Sequence, residues 1–439
     1  MSQTTSVSQT TAAPTVAGRV GDVKVSVRRS LSGTPGRLRI LALLAVAVSL
    51  IFAIGAYSAF DSADTALRRA GENAAQLVRI QAIHTNLVRA DADATNAFLV
   101  GGLEPADQRA NYVASMSQAS GLIAEAAKAQ PADGPALGAL NTSVLIYAGL
   151  IEQARATNRQ ALPVGAQYLR VAGSGLRSDA LPVLDALVKA NDARVRAEFD
   201  AAAGASTALV TSGVLALLVL IGGMLWLARR THRYINVPLA GAAVAVLVTL
   251  VVGVIVLSSV SSRVAAVRDG SYAATLATAK ARIAAFDAKS NESLTLIARG
   301  SGSAFENAWK ASSAVVVTQS ATSARLSDAT TKVDAALMGG LWRQYVQTHT
   351  KLRAADDGGH WELAVGQAIG NYTNSGNATF NAFDAGSGKV LTASSHATSD
   401  SLDAPRTWLL FVGWLGLLLG IAAAVSAWWG VSLRLEEYR

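Results

Sequence analysis

The polar residues of this chain offer little for catalysis. There is no HExxH, GxSxG or GxxxxGK[ST] signature, and no GxGxxG between a strand and a helix. The five histidines, His84, His232, His349, His360 and His396, include no pair at i, i+4, so the two-imidazole face of a helical metal site is missing. Cysteine is absent, which excludes a disulfide framework and thiolate ligands. No cofactor and no metal is expected, and the chain reads as a non-enzyme. What remains is recognition chemistry. Arg89 and Asp93 lie at i, i+4 and can form a solvated pair; alternatively, Arg89 holds a ligand carboxylate as a bidentate donor. His84 and Asp91 stand seven residues apart in line with Leu77 and Phe98, and Ser290 and Ser293 fall on the corresponding line further along. Polar groups in an apolar seam need partners, so these residues either set helix register or face a ligand between helices. The stretch ARATNRQALPVGAQYLR (154–170) is the densest polar feature. Its Arg155, Asn158 and Arg159 either cap a helix C-terminus or form a turn on which a soluble partner docks.

The elements that carry these residues follow from the apolar pattern. Mean hydropathy is +0.32, and four segments near 38–60, 207–228, 238–260 and 407–430 each reach the roughly 20 apolar residues that cross a bilayer. The first begins after a basic tail (1–37) and is too long for a cleavable signal. Arg19, Lys24, Arg28, Arg29, Arg37 and Arg39 flank the first span, Arg229, Arg230 and Arg233 occupy the loop 229–237, and Arg434 and Arg439 lie in the tail 431–439. The positive-inside rule puts all three pieces in the cytoplasm. The protein is thus expected to be a multi-pass plasma-membrane protein with both termini inside. The loop arginines either anchor at anionic lipid or contact a cytoplasmic partner. The Ser/Thr-rich tail is expected to be disordered. Much of the net charge of +8 sits in these flanks, so nucleic acid is not an expected partner. No span carries a charge at its centre, which argues against a pump.

Residues 61–206 and 261–406 are then extracytoplasmic, and they echo one another. VGAQYLRVAGSG (164–175) answers VGQAIGNYTNSG (365–376), Tyr147 and Arg155 recur as Tyr345 and Arg353, and Asp91 recurs as Asp287. Both segments are rich in Ala, Leu, Gln and Arg, which favour helix. Leu77, Ile80, Leu87, Ala94 and Phe98 form one stripe, and Leu276, Ala279, Ile283, Phe286, Ser293 and Ile297 a second. Breaks at 101–105, 130–135 and 162–163 give the first segment four helices, with Pro182 a kink in the last. Breaks at 299–303 and 356–360 bound the second, where no middle boundary stands out and 371–379 suits a loop. The predicted architecture is an internally duplicated all-α membrane protein: four transmembrane helices and two extracytoplasmic four-helix bundles whose outer helices continue as spans. Gly416-x-x-x-Gly420 and the stripe Ala45, Ser49 and Ala53 predict close packing, between spans or between protomers of a homodimer.

A span, four-helix, span unit resembles the sensory module of bacterial chemoreceptors and histidine kinases. RRTHRYINVPL (229–239) resembles the start of a HAMP linker, but the next span follows at once. Over its whole length, with ARATNRQALPVGAQYLR as the most particular stretch, the chain resembles the actinobacterial GlnX membrane proteins. That resemblance implies a sensor of aspartate, glutamate or glutamine availability. It also implies an extracytoplasmic amino-acid-binding lipoprotein as one partner and a cytoplasmic Ser/Thr protein kinase as the other. The competing readings are a cell-envelope scaffold or transport-complex subunit, and a direct ligand sensor.

Overall fold

The computed structural model describes residues 33–100, 104–231, 236–370 and 372–436. The expected disordered tail falls largely outside them, as does Arg233. Thirteen α-helices and no strand occur among the described residues: α1 (Gly33–Val100), α2 (Ala106–Ala129), α3 (Gly134–Arg159), α4 (Val164–Gly175), α5 (Leu181–Gly204), α6 (Ser206–Thr231), α7 (Val237–Val267), α8 (Ala273–Ile297), α9 (Ser303–Leu326), α10 (Lys332–Asp357), α11 (Trp361–Ile369), α12 (Gly376–Asp403) and α13 (Arg406–Glu436). They divide into two compact units. One comprises the described parts of Met1–Ser62, Gly204–Ser258 and Trp408–Arg439; the other comprises Ala63–Ala203 and Ser259–Thr407.

The first unit is small inside and apolar outside. Ser49, Phe52, Ala53 and Ala56 of α1 are buried, whereas Leu43, Ile54, Leu218, Ile255 and Leu418 are exposed. An exposed surface this apolar suits lipid rather than water. The two small-residue stripes meet: a Cβ on Gly420 would lie 2.5 Å from Ala53 Cβ, and one on Gly416 would lie 3.4 Å from Ala56 Cβ. Backbones approach this closely only where side chains are missing. Asn236 donates to the Gly430 carbonyl at 2.7 Å and its side-chain oxygen accepts from the Leu239 amide, closing the start of α7.

Five helical stretches are long and apolar enough to cross a membrane, and Pro131–Arg159 is the one beyond the four spans read from sequence. That stretch belongs to the second unit. Its Leu137, Leu140, Val144, Tyr147 and Ile151 pack with Ile80, Ile83 and Leu87 of α1, so its apolar stripe has a protein partner.

In the second unit the predicted breaks fall where helices end. Ala161 (φ 54°) and Arg299 (φ 43°) adopt left-handed conformations at two of them, and Gly300 and Gly359 do so at no steric cost. The unassigned middle boundary is Ser327–Thr331, where Asp328 accepts from the Thr331 amide at 2.9 Å and from two threonine hydroxyls. The segment before α12 is a turn closed by Ser375, whose hydroxyl accepts from the Ala378 amide. Pro182 is accommodated by a π-helical turn at Leu176–Ala180 just before it. A second π-helical turn, Arg268–Tyr272, holds Gly270 at φ −111°, ψ −105°.

Segments 61–206 and 261–406, read from sequence as two bundles, contribute to common core clusters. Leu294 of α8 joins the cluster around Ile80 and Ile83, and Val88 and Ala92 of α1 join the one around Phe286, Trp342 and Phe383. Helix α8 is buried on nearly every side from Ala274 to Leu296. Its many Ala, Ser and Thr residues let neighbours approach all round, which a helix with one apolar stripe does not permit.

Candidate functional site

Where α1 and α8 meet in the second unit, charged side chains form a ladder around a buried carboxylate. Asp91 is 1% exposed. Its Oδ2 accepts from Ser290 Oγ at 2.7 Å and from Arg177 Nη2 at 3.0 Å, and its Oδ1 accepts from Tyr147 at 3.3 Å. Arg177, set in the π-helical turn, also donates from Nε to Asp287 at 3.1 Å. The carboxylates Asp91 and Asp287, which echo one another in the sequence, therefore hold one guanidinium. Burial works against that charge, but the two carboxylates more than offset it and raise the Arg177 pKa. Burial and the Asp91 carboxylate both push the Tyr147 phenol upward, so it stays a donor.

One turn away, Arg89 does not pair with Asp93. It reaches across to α12, where its Nη2 lies 2.9 Å from both Asp384 oxygens, and its guanidinium stacks 4.8 Å from the Phe286 ring centroid. Arg282 completes the pair from the other side at 2.7 Å and also donates to Ser387. The solvated Arg89–Asp93 pair expected from spacing is thus corrected: neither side chain is left in water, and the Arg89 guanidinium is held by the Asp384 carboxylate and the Phe286 ring instead. Asp93 is left among low-dielectric surroundings, and burial lifts its pKa to about 7 despite the nearby Arg89.

These residues border a cavity of about 670 Å³ between the two halves of the unit. Its walls come from α1 (Arg89, Asp93, Asn96), α2 (Gln108, Asn111, Ser115), α8 (Phe286) and α12 (Asn381, Asp384). Among the described residues, eleven buried side-chain polar atoms lack a hydrogen-bond partner. Four of them, Arg89 Nε, Asp93 Oδ2, Asn96 Oδ1 and Gln108 Oε1, belong to residues of this one wall. The chemistry available here is hydrogen bonding and charge pairing to a polar guest.

Sequence reasoning did not find the charge cluster next to it. Glu292 is fully buried and accepts from Lys289 at 2.7 Å and Tyr345 at 2.9 Å, with His349 Nδ1 at 2.8 Å. His349 Nε2 lies 3.2 Å from Glu306, and its ring stacks on Trp309 at 3.6 Å. Both ring nitrogens face carboxylates, which is the arrangement of an imidazolium. Burial opposes that charge, but the two hydrogen bonds outweigh it and raise the pKa. Burial alone would lift Glu292; Lys289 and His349 overcome it and hold the acid at about 2. The signal available was the unbroken polar run Lys289-Ser290-Asn291-Glu292-Ser293 inside an alanine-rich helix.

The remaining singled-out residues are dispersed. Arg155 bonds Glu104 at 3.0 Å and Glu152 at 2.9 Å and lies 4.0 Å over the Tyr112 ring, tying the start of α2 to the end of α3. Arg353 repeats this with Glu306 at 3.5 Å. Asn158 and Arg159 line a second cavity of about 330 Å³, and Arg159 is exposed. His84 is buried 3.8 Å from Asp185. Arg229 is exposed at the end of α6, and Arg230 is helical, its side chain outside the described set.

Residues 66–200 match a family described as an actinobacterial sensor domain. The matched stretch contains Arg89, Asp91, Asp93, Asn96 and Gln108. No curated protein and no solved structure matches the chain. The sensor-domain match and the long apolar helices fit a membrane protein with a sensing role.

Proposed function

We propose that the chain is a multi-pass transmembrane adaptor that senses extracytoplasmic amino acids and relays their presence to the cytoplasm by helix motion. The observation that carries the reading is α1. It is one unbroken helix from Gly33 to Val100, running through the lipid-suited segment and on to Arg89, Asp91 and Asp93. A change at the seam then acts on the same helix that carries the lipid-suited segment, and shifts of about 1–2 Å are the usual scale of such signals. The resemblance to the GlnX proteins supplies the partners of this reading: an amino-acid-binding lipoprotein outside and a Ser/Thr protein kinase inside. The duplicated architecture and four spans belong to the same proposal, with the interior loop and both termini in the cytoplasm.

The absence of cysteine makes the test clean. Gly223 and Leu41 approach closely, a Cβ on the glycine lying 2.8 Å from Leu41 Cδ1. Leu41→Cys with Gly223→Cys is expected to cross-link at a rate that changes when aspartate, glutamate or glutamine is supplied with the lipoprotein to membranes. An unchanged rate under every addition removes the relay and leaves a scaffold. For topology, Asp179→Cys should react with an impermeant maleimide in intact cells and Arg229→Cys only after lysis; the reverse pattern overturns the orientation.

A further inference from the structure

We infer that the cavity between the two halves of the second unit is itself a binding site for a small molecule carrying a primary ammonium beside an accepting oxygen, the chemistry of a free amino acid or a peptide N-terminus. The inference rests on the sensor reading and deepens it, by moving recognition from a partner protein to named residues of this chain.

A buried polar atom without a partner is costly, and native proteins keep few of them. Here four of the eleven gather at one wall. Three are acceptors, on Asp93, Asn96 and Gln108, and one is a donor, Arg89 Nε. An ammonium offers three N–H donors and one positive charge. Asp93 is the carboxyl of the group, with Ser115 bonded to it, and an ammonium placed against it would favour its ionised form. The remaining donor suits a carboxylate or carbonyl oxygen, because Arg89 commits its Nη2 to Asp384 while Nε is left unmatched. The side-chain amides of Asn96 and Gln108 can rotate end for end, so they adapt to donor or acceptor on the guest. About 670 Å³ lies within the usual span for small-molecule sites, and holds an amino acid with several waters or a short peptide. The cavity needs both halves: the unmatched atoms come from α1 and α2, while Phe286, Asn381 and Asp384 come from α8 and α12. A guest therefore bears on the Arg89–Asp384 contact that joins them.

The test is calorimetric titration of the full-length chain in lipid nanodiscs with the free amino acids, unblocked dipeptides, their N-acetyl forms, and amines lacking a carboxylate. Saturable binding of an amino acid or dipeptide, abolished by N-acetylation, is expected. Asp93→Asn keeps the shape and removes the anion, and should weaken it roughly ten- to hundredfold. Gln108→Ala, on the partly exposed start of α2, is the second variant and should weaken binding with melting unchanged. Amino acids but not dipeptides, or the reverse, identifies the source. No binding by any compound to folded protein overturns the inference, as does binding indifferent to both substitutions. Cross-linking that responds to the lipoprotein without free-ligand binding sinks this inference and keeps the sensor; binding without any cross-linking response does the opposite.

Discussion

Removing the Asp91 carboxylate should unlock the seam. The side chain is 2% exposed and is held by Arg177, Ser290 and Tyr147 from three other segments of the unit. Asp91→Ala leaves two buried hydroxyls short of an acceptor and Arg177 with Asp287 as its one remaining carboxylate. Breaking one side of a buried charge pair costs about 3–5 kcal/mol. The hydroxyl losses overlap with that figure rather than adding to it. At roughly 2–4 °C per kcal/mol for a large unit, melting should fall by about 6–20 °C. Asp91→Asn retains shape and an accepting oxygen and should lose about half as much. Asp179→Ala, exposed in the same π-helical turn, should stay within about 0.5 kcal/mol of the parent. The assay is thermal unfolding of the full chain in nanodiscs, followed by helical circular dichroism, with a double-mutant cycle against Arg177→Ala. The double variant should be less destabilised than the sum of the singles, since removing both charges leaves neither unpaired. A drop below about 2 °C for Asp91→Ala, or strict additivity in the cycle, refutes the claim that this contact joins the halves.

Other perturbations separate structural from peripheral residues. Arg155→Ala removes two carboxylate contacts and a ring contact and should cost about 1–3 kcal/mol, whereas Arg159→Ala should change melting by less than about 0.5 kcal/mol. Gly420→Val forces a side chain onto Ala53 backbone atoms 2.7–3.1 Å away and should lower melting by about 1–3 kcal/mol; Gly222→Val, with nothing within 4 Å, is the matched control. His349 has a raised pKa, so its contribution is complete below its ordinary 6.5 and fades as pH rises through the folded value. Glu292, depressed from 4.5 to about 2, contributes above its ordinary value and loses that contribution as pH falls toward about 2. The destabilisation of His349→Gln should therefore be greatest between about pH 4.5 and 6.5 and shrink as pH rises from there through the raised folded value. A cost that stays flat across that range in pH-dependent melting contradicts a charged His349.

The sequence by itself determined the helices and their punctuation. Breaks at Gly, Pro and Asp clusters are local chemistry, because φ and hydrogen-bond donors are set within a few residues, and the helix ends near 100, 129, 159, 297 and 357 follow from them. The small-residue stripes with Ala53 and Gly420 were legible for the same reason: close packing needs missing side chains wherever the partner lies. Partner choice was not legible. Arg89 had a carboxylate four residues away, yet it takes Asp384, because the fold brings α12 within reach of both Arg89 and Arg282 and Asp384 accepts from the two guanidinium groups at once. Nor could spacing reveal that Asp91 and Asp287, each recognisable as an echo of the other, would share Arg177. Helix α8 shows why the stripe reading was incomplete. Small residues on every side let three-dimensional packing bury Arg282, Lys289 and Glu292, which a one-faced pattern assigns to water. Only the tertiary structure gathers unmatched polar atoms from α1 and α2 beside a cavity also lined by α8 and α12, since desolvation is a property of what surrounds a residue and not of its place in the chain.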